Sequence, residues 1–209
     1  MPRRDRQEGE ALSFAIGNLR PTQLSLFEPR AIEGFEYQPD LISREQEGAL
    51  VARFSELDFK NFEFRGYLGN RRVVSFGFRY DFTDSAVHAA PEIPPFLLPL
   101  RQQAAEFARL DASALKHVLV TEYQPGAGIG WHRDRPVFQD VIGISLLSSC
   151  RFRLRRRKGE GWQREALLLE PRSAYLLRGL VREEWEHSIP SADSLRYSIT
   201  FRSLKPAEA

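Results

Sequence analysis

The chain has 209 residues, 42% hydrophobic and 28% charged, with a net charge of +2 and a single cysteine, Cys150. Such a chain is expected to form one large domain, or one domain with a short appendage. The composition excludes a disulfide framework, a cysteine-rich zinc site and a polycation that binds through bulk charge. No apolar run reaches the roughly 18–20 residues that span a membrane, and MPRRDRQEGE lacks the apolar stretch of a secretory signal, so a cytoplasmic setting is expected.

In chain order, residues 1–30 read as a flexible N-terminal segment. Within it QLSLF, residues 23–27, lies between Pro21 and Pro29 and is too short for a helix. It reads either as a first strand or as a peptide offered to a partner. Residues 31–209 read as the folded domain. Ser43 followed by Gln46 is a capping-box signature, and Ala49, Leu50, Phe54 and Leu57 recur at helical spacing, which predicts a helix over roughly 43–57. Residues 59–82 alternate aromatic with basic or small residues around Leu68-Gly69-Asn70, which predicts a β-hairpin turning there. After the proline-rich PEIPPFLLP, a second helix is predicted over 97–110.

The second half changes character. HVLVTEY, DVIGISLL, CRFRLRR, EALLLE, SAYLLRG and LRYSITFR are short strand-like runs between Gly, Pro, Asp and Ser turns. They predict an α+β, mainly β fold: a β-sandwich or jelly-roll core braced by two N-terminal helices and a β-hairpin lid.

Two of the four histidines carry the chemistry. His132 stands in GIGWHRDRP, two residues before Asp134, and in extended backbone both side chains point the same way. His187 lies three or four strands later, and a jelly roll can bring it opposite them. Two histidines and one carboxylate on one side of a metal leave positions open, as in non-haem Fe(II) oxygenases. His88 and His117 have no carboxylate at ligand spacing and read as structural or surface residues. In RYSITFR, Arg196, Ser198, Thr200 and Arg202 share one strand face while Tyr197, Ile199 and Phe201 share the other. Buried there, the two arginines would need carboxylate partners; solvent-facing, they would pair with surface acids.

The order EYQPGAGIGWHRD, EWEHSIP, RYSITFR resembles the AlkB family of Fe(II)- and 2-oxoglutarate-dependent dioxygenases. The likeness is strong over roughly 116–204 and looser over the 59–82 hairpin. It implies a double-stranded β-helix with iron held by His132, Asp134 and His187, and 2-oxoglutarate and O₂ as cosubstrates. It implies further that Arg196, helped by Ser198 and Tyr123, holds the distal carboxylate of 2-oxoglutarate. Arg202 would lie near the carboxylate that chelates the iron. Thr121 stands where members often carry asparagine, and its hydroxyl still donates a hydrogen bond. Pro136 stands where base-demethylating members commonly place a carboxylate.

The resemblance implies oxidative demethylation of N-alkylated nucleobases in DNA or RNA, with release of succinate, CO₂ and formaldehyde. The alternatives are hydroxylation or demethylation of a protein side chain and a non-catalytic nucleic-acid or clamp-binding module. The hairpin offers Arg71, Arg72, Phe76, Phe78 and Tyr80 to a nucleotide, or else is a core hairpin with solvated arginines. Arg133, Arg153 and Arg155 are candidate phosphate contacts. QLSLF resembles the pentapeptide with which many bacterial replication and repair proteins dock on the sliding clamp. Gln23 would hydrogen-bond there and Leu24, Leu26 and Phe27 would anchor; otherwise the segment packs back on the domain.

Overall fold

A computed structural model describes residues 32–64, 67–80 and 87–206. QLSLF and the 1–30 segment lie outside the described residues. The first described elements are β1 (Phe35–Gln38) and α1 (Arg44–Arg53). Ser43 and Gln46 close the expected reciprocal capping box, backbone to side chain, at 2.8 and 3.2 Å. Then come β2 (Lys60–Phe64), β3 (Tyr67–Phe76), β4 (Phe78–Tyr80), β5 (Val87–Ala89) and α2 (Leu98–Ala108). The second half carries β6 (Leu115–Tyr123), β7 (Ile129–His132), β8 (Phe138–Leu146), β9 (Cys150–Lys158), β10 (Gly161–Leu169), β11 (Ala174–Leu177), α3 (Leu180–Glu184), β12 (Glu186–Ile189) and β13 (Arg196–Leu204).

The strands form a larger sheet, ordered β1-β11-β8-β13-β6-β3-β2, a smaller sheet, β10-β9-β12-β7, and the pair β4-β5. Alternation along β13, at the middle of the larger sheet, separates two cores. Tyr197, Ile199 and Phe201 join Val118, Val120, Ile142, Ile144 and Leu146 against Leu50, Phe54, Leu100, Ala104 and Ala108 of the helix side. The opposite face looks toward the smaller sheet. There Tyr123, Val141, Tyr175 and Leu177 pack with Phe152, Leu154, Leu167, Leu169 and Ile189. With both faces covered, β13 is buried from Arg196 to Ser203, so its arginines are interior groups. Each fully buried Leu, Ile or Phe contributes about 1.5–3 kcal/mol.

Gly143 shows how closely the sheets interlock. A Cβ there would stand 2.3 Å from the ring of Tyr175, its partner on β11. Lacking a side chain, Gly143 lets that ring cross the strand and stack on Phe152, with centroids 4.7 Å apart.

Two expectations are corrected. Phe64 pairs with Tyr67, so the chain reverses before Leu68-Gly69-Asn70, which run inside β3. The hairpin is also no detached lid: β3 pairs with β6 from Arg71 to Phe76, and β2 and β3 extend the larger sheet. The β2–β3 pairs on either side of Gly69-Asn70, from Phe64 with Tyr67 to Lys60 with Val73, hold the dipeptide in the strand despite its turn preference. Among the described residues no helix is long and apolar enough to cross a membrane.

Candidate active site

β7 and β12 are short and run antiparallel, with His132 directly opposite His187. Cross-strand partners stand close enough to touch, and the two imidazole centroids are 4.2 Å apart. The strands are held near one another at Gly128, where a Cβ would meet the Ile189 carbonyl oxygen at 2.7 Å. The Nδ1 of His132 lies 2.9 Å from the Gly130 carbonyl. A carbonyl only accepts, so the proton sits on Nδ1 and the lone pair on Nε2. Just beyond β7, Oδ2 of Asp134 lies 3.7 Å from Nε2 of His187. Its Oδ1 accepts from Nε and Nη2 of Arg202 at 3.0 and 2.8 Å.

Burial, then the neighbouring His132, pushes His187 down to about 3; burial likewise lowers His132, with Asp134 opposing. Burial alone would raise the Asp134 carboxyl, but Arg202, His187 and His132 hold it well below the ordinary carboxylate range. The result is two neutral imidazoles and one ionised carboxylate, the protonation states a divalent metal requires of its ligands. Among the described residues no three such side chains already close into a cage, because Asp134 is turned onto Arg202. The β7–β12 register brings the two imidazoles together, and Asp134, two residues beyond His132, lies 3.7 Å from His187. The donor set fits Fe(II).

The opposite wall holds an anion site. Arg196 is 1% exposed. Its Nε donates to Oγ of Ser145 at 3.2 Å, its guanidinium lies 5.0 Å from the Tyr123 ring centroid, and its Nη1 has no hydrogen-bond partner among the described residues. A buried donor left unpaired costs about 1–3 kcal/mol, and a carboxylate is the group that fits a guanidinium fork. Ser198 sits in register with Thr121 and Ser145 on the same face. Tyr175 ties the two walls together: burial, then the Asp134 carboxylate, raises its phenol, while Arg202 and Arg196 pull it down. Ser145 and Tyr175 have no signal in the sequence beyond a hydroxyl inside an apolar run. Arg202 lies against Asp134, and its Nη1 donates to Nδ1 of His117 at 3.3 Å.

The model of the 2OG-Fe(II) oxygenase superfamily matches residues 36–202, from β1 into β13. The chain belongs to that superfamily. Its relatives place it among the AlkB-like oxygenases. "Alkylated DNA repair protein ALKBH8 homolog" of Arabidopsis thaliana is 28% identical over 200 residues, covering 83% of this chain and 56% of the plant protein. "Alpha-ketoglutarate-dependent dioxygenase alkB homolog 7, mitochondrial" of Mus musculus is 31% identical over 161 residues, covering 72% of this chain and 65% of the mouse protein. The chain thus spans little more than half the length of the plant relative. The solved structure of OsALKBH1 superposes with a TM-score of 0.60 at 17% identity, over 81% of this chain and 96% of that one, a likeness of fold. The cofactors of that family are Fe(II), 2-oxoglutarate and O₂.

The residues read as substrate contacts divide by face. Arg71 of the oxygenase pairs in register with Tyr123, which pairs with Arg196, so the three form a row on the interior side. Its guanidinium lies 3.7 Å from the Phe62 ring centroid, burial lowers its pKa, and its charge bears on His132. Arg72 turns the other way, into a bidentate pair with Glu122 at 2.7 and 2.8 Å. Phe76 is buried in the helix-side core, which withdraws it from stacking. Phe78 is half-buried, and Tyr80 shares β4 with it. Arg133 donates to the Glu183 carbonyl at 2.9 Å. Arg153 donates to the Ser188 hydroxyl at 3.0 Å and keeps its charge unpaired among the described residues, whereas Arg155 is ion-paired with Glu186 at 2.6 Å. His117 is a buried structural residue tilted against Phe138, with ring centroids 5.0 Å apart. Two cavities of about 310 and 320 Å³ lie on the helix side, one between α1 and α2, the other beside Arg72, Glu122 and Tyr197.

Proposed function

We propose that this AlkB-like dioxygenase oxidatively demethylates N-alkylated nucleobases in DNA or RNA, within a catalytic domain formed by residues 31–209. The observation that carries the chemistry is the unpaired Nη1 of sealed Arg196 in the same interior as two neutral imidazoles and an ionised carboxylate. His132, Asp134 and His187 would hold Fe(II), which when bound supplies the redox chemistry coupling loss of CO₂ from 2-oxoglutarate to hydroxylation of a substrate C–H bond. Arg196 neutralises the distal carboxylate of 2-oxoglutarate, with Ser198, Thr121 and Tyr123 beside it. Arg202 keeps Asp134 ionised and fixes the plane of its carboxylate. Phe152, Tyr175 and Tyr123 keep bulk water from this interior. The substrate class rests on the name of the Arabidopsis relative and on Arg71, a cation facing the site with no carboxylate partner among the described residues.

A second reading, oxidation of a protein side chain, is favoured by exposed Pro136, which offers a base no carboxylate. Nothing in the relatives named above or in the described residues supports a sliding clamp as partner. The test is succinate and formaldehyde release from methylated single-stranded oligonucleotides and methylated peptides, with Fe(II) and 2-oxoglutarate. Oligonucleotide turnover that disappears in His132→Ala is expected. Turnover of peptides alone would replace this reading with the second.

A further inference from the structure

The smaller sheet has one face in the core and one toward solvent, and the outer face is built from alternate residues of its four strands. β9 sends Arg151, Arg153, Arg155 and Arg157 outward while Phe152 and Leu154 go inward. On β10, Trp162 stands beside Arg157, Arg164 beside Arg155, Ala166 beside Arg153 and Leu168 beside Arg151. On the other side come Glu186 and Ser188 of β12, then Trp131 of β7.

Charge on this face is unbalanced. Among the described residues it carries Arg151, Arg153, Arg155, Arg157 and Arg164 against one carboxylate, Glu186, which Arg155 already occupies at 2.6 Å. That excess is larger than the +2 of the whole chain. Arg151, Arg157 and Arg164 are exposed and make no ion pair or hydrogen bond with a described residue. A merely solvated face would intersperse acids with bases.

The arginines are also organised. Guanidinium carbons stand 5.0 Å (Arg153) and 4.3 Å (Arg155) from the Trp131 ring, and 4.2 Å (Arg155) and 4.5 Å (Arg157) from the Trp162 ring. Stacking occupies the faces of a guanidinium and leaves its N–H edges free to bind phosphate oxygens. Outward residues repeat about every 6.7 Å along a strand, comparable with the step between successive phosphates of an extended nucleic-acid strand. The row also leads to the site, because Trp131 on the outside is followed directly by His132 on the inside.

We propose that this outer face is a docking track for the phosphate backbone of single-stranded nucleic acid. The inference rests on the nucleobase reading and extends it to a surface separate from the metal site. The test compares the full chain with R151E/R157E/R164E on two probes. One is a methylated strand of about 20 nucleotides, the other a trinucleotide bearing the same lesion.

The long strand is expected to bind at least tenfold more weakly to the variant. Its dependence of log affinity on log salt should flatten by about 2, three contacts at about 0.7 each. Trinucleotide kcat/KM should stay within about twofold, and R44E on the helix side should change neither quantity. Should the triple variant fold poorly, R151Q/R157Q/R164Q must flatten the salt dependence in the same direction. Unchanged long-strand affinity and slope, with the wild type binding, would overturn the track and leave the demethylase reading standing. An equal loss on the trinucleotide would also overturn it, since the arginines would then act at the lesion. A wild type that binds no long strand overturns track and nucleobase reading together.

Discussion

Arg196 and His117 are both buried and both polar, yet they carry opposite consequences. Arg196 holds its Nη1 amino group without a hydrogen-bond partner among the described residues, so the protein without cosubstrate bears a cost that a carboxylate relieves. Removing one partner of a buried charge pair costs about 2–5 kcal/mol. Arg196→Met is therefore expected to raise the 2-oxoglutarate KM by about 100-fold or more. 2-Oxoglutarate should raise the thermal midpoint of the wild type and not of the variant, as read by differential scanning fluorimetry. His117 instead gives up its charge: burial, then Arg202, pushes it down to about 3 from about 6.5 in the unfolded chain. The unfolded chain therefore binds more protons between these values, so stability is fully present above pH 6.5 and declines as pH falls toward 3. In metal-free protein, urea midpoints from pH 7 to 4 should show the gap between wild type and His117→Asn narrowing as pH falls.

At the scale of elements, the crossing of β8 and β11 is the tightest joint in the molecule. Gly143→Ala places a methyl inside the Tyr175 ring, and overpacking of this kind costs about 1–3 kcal/mol. Urea denaturation should show that loss, and adding Tyr175→Leu should recover part of it. Ser43→Ala, which opens the cap of α1, should cost about 1 kcal/mol and leave succinate formation unchanged. The same contrast governs what was legible beforehand. CRFRLRR and RYSITFR alternate over enough residues for both faces to be read, and HxD with a distant histidine names its own chemistry. β7 and β12 have four residues each, flanked by glycines and a proline, too few to display a period. That His132 meets His187 head-on is a fact of pairing between distant segments, which local pattern does not carry. Ser145 and Tyr175 sat inside apolar runs, where a hydroxyl looks like ordinary strand material. The Gly-Asn of β3 reads as a turn because the β2–β3 ladder that holds it in a strand, irregular in register beside it, leaves no mark in the dipeptide itself.

Over the whole molecule, the two sheets are covered unequally. Helices α1 and α2 pack on the larger sheet, while the smaller sheet has bare arginines and indoles outside and the candidate metal ligands inside. β7 forms its edge, with β12 as its one neighbour. Hydrogen exchange should therefore be slowest in β6, β8 and β13 and faster in β7. Adding Mn(II) with 2-oxoglutarate should slow exchange in β7 and β12 more than elsewhere, since a ligand that binds only the folded site stabilises what holds it. Equal protection of every strand would mean that the ligands do not bridge the two walls.

Trp131 and His132 stand on opposite sides of a strand four residues long. Losing or gaining one residue between Gly128 and His132 would exchange them, turning the imidazole to water and the indole into the core. The metal ligand and the outer stack would vanish in one event, although no functional side chain had been altered. This stretch can change length only in steps of two. Insertions and deletions that this oxygenase tolerates should instead gather at turns such as Gly159-Glu160, where one more residue moves no ligand.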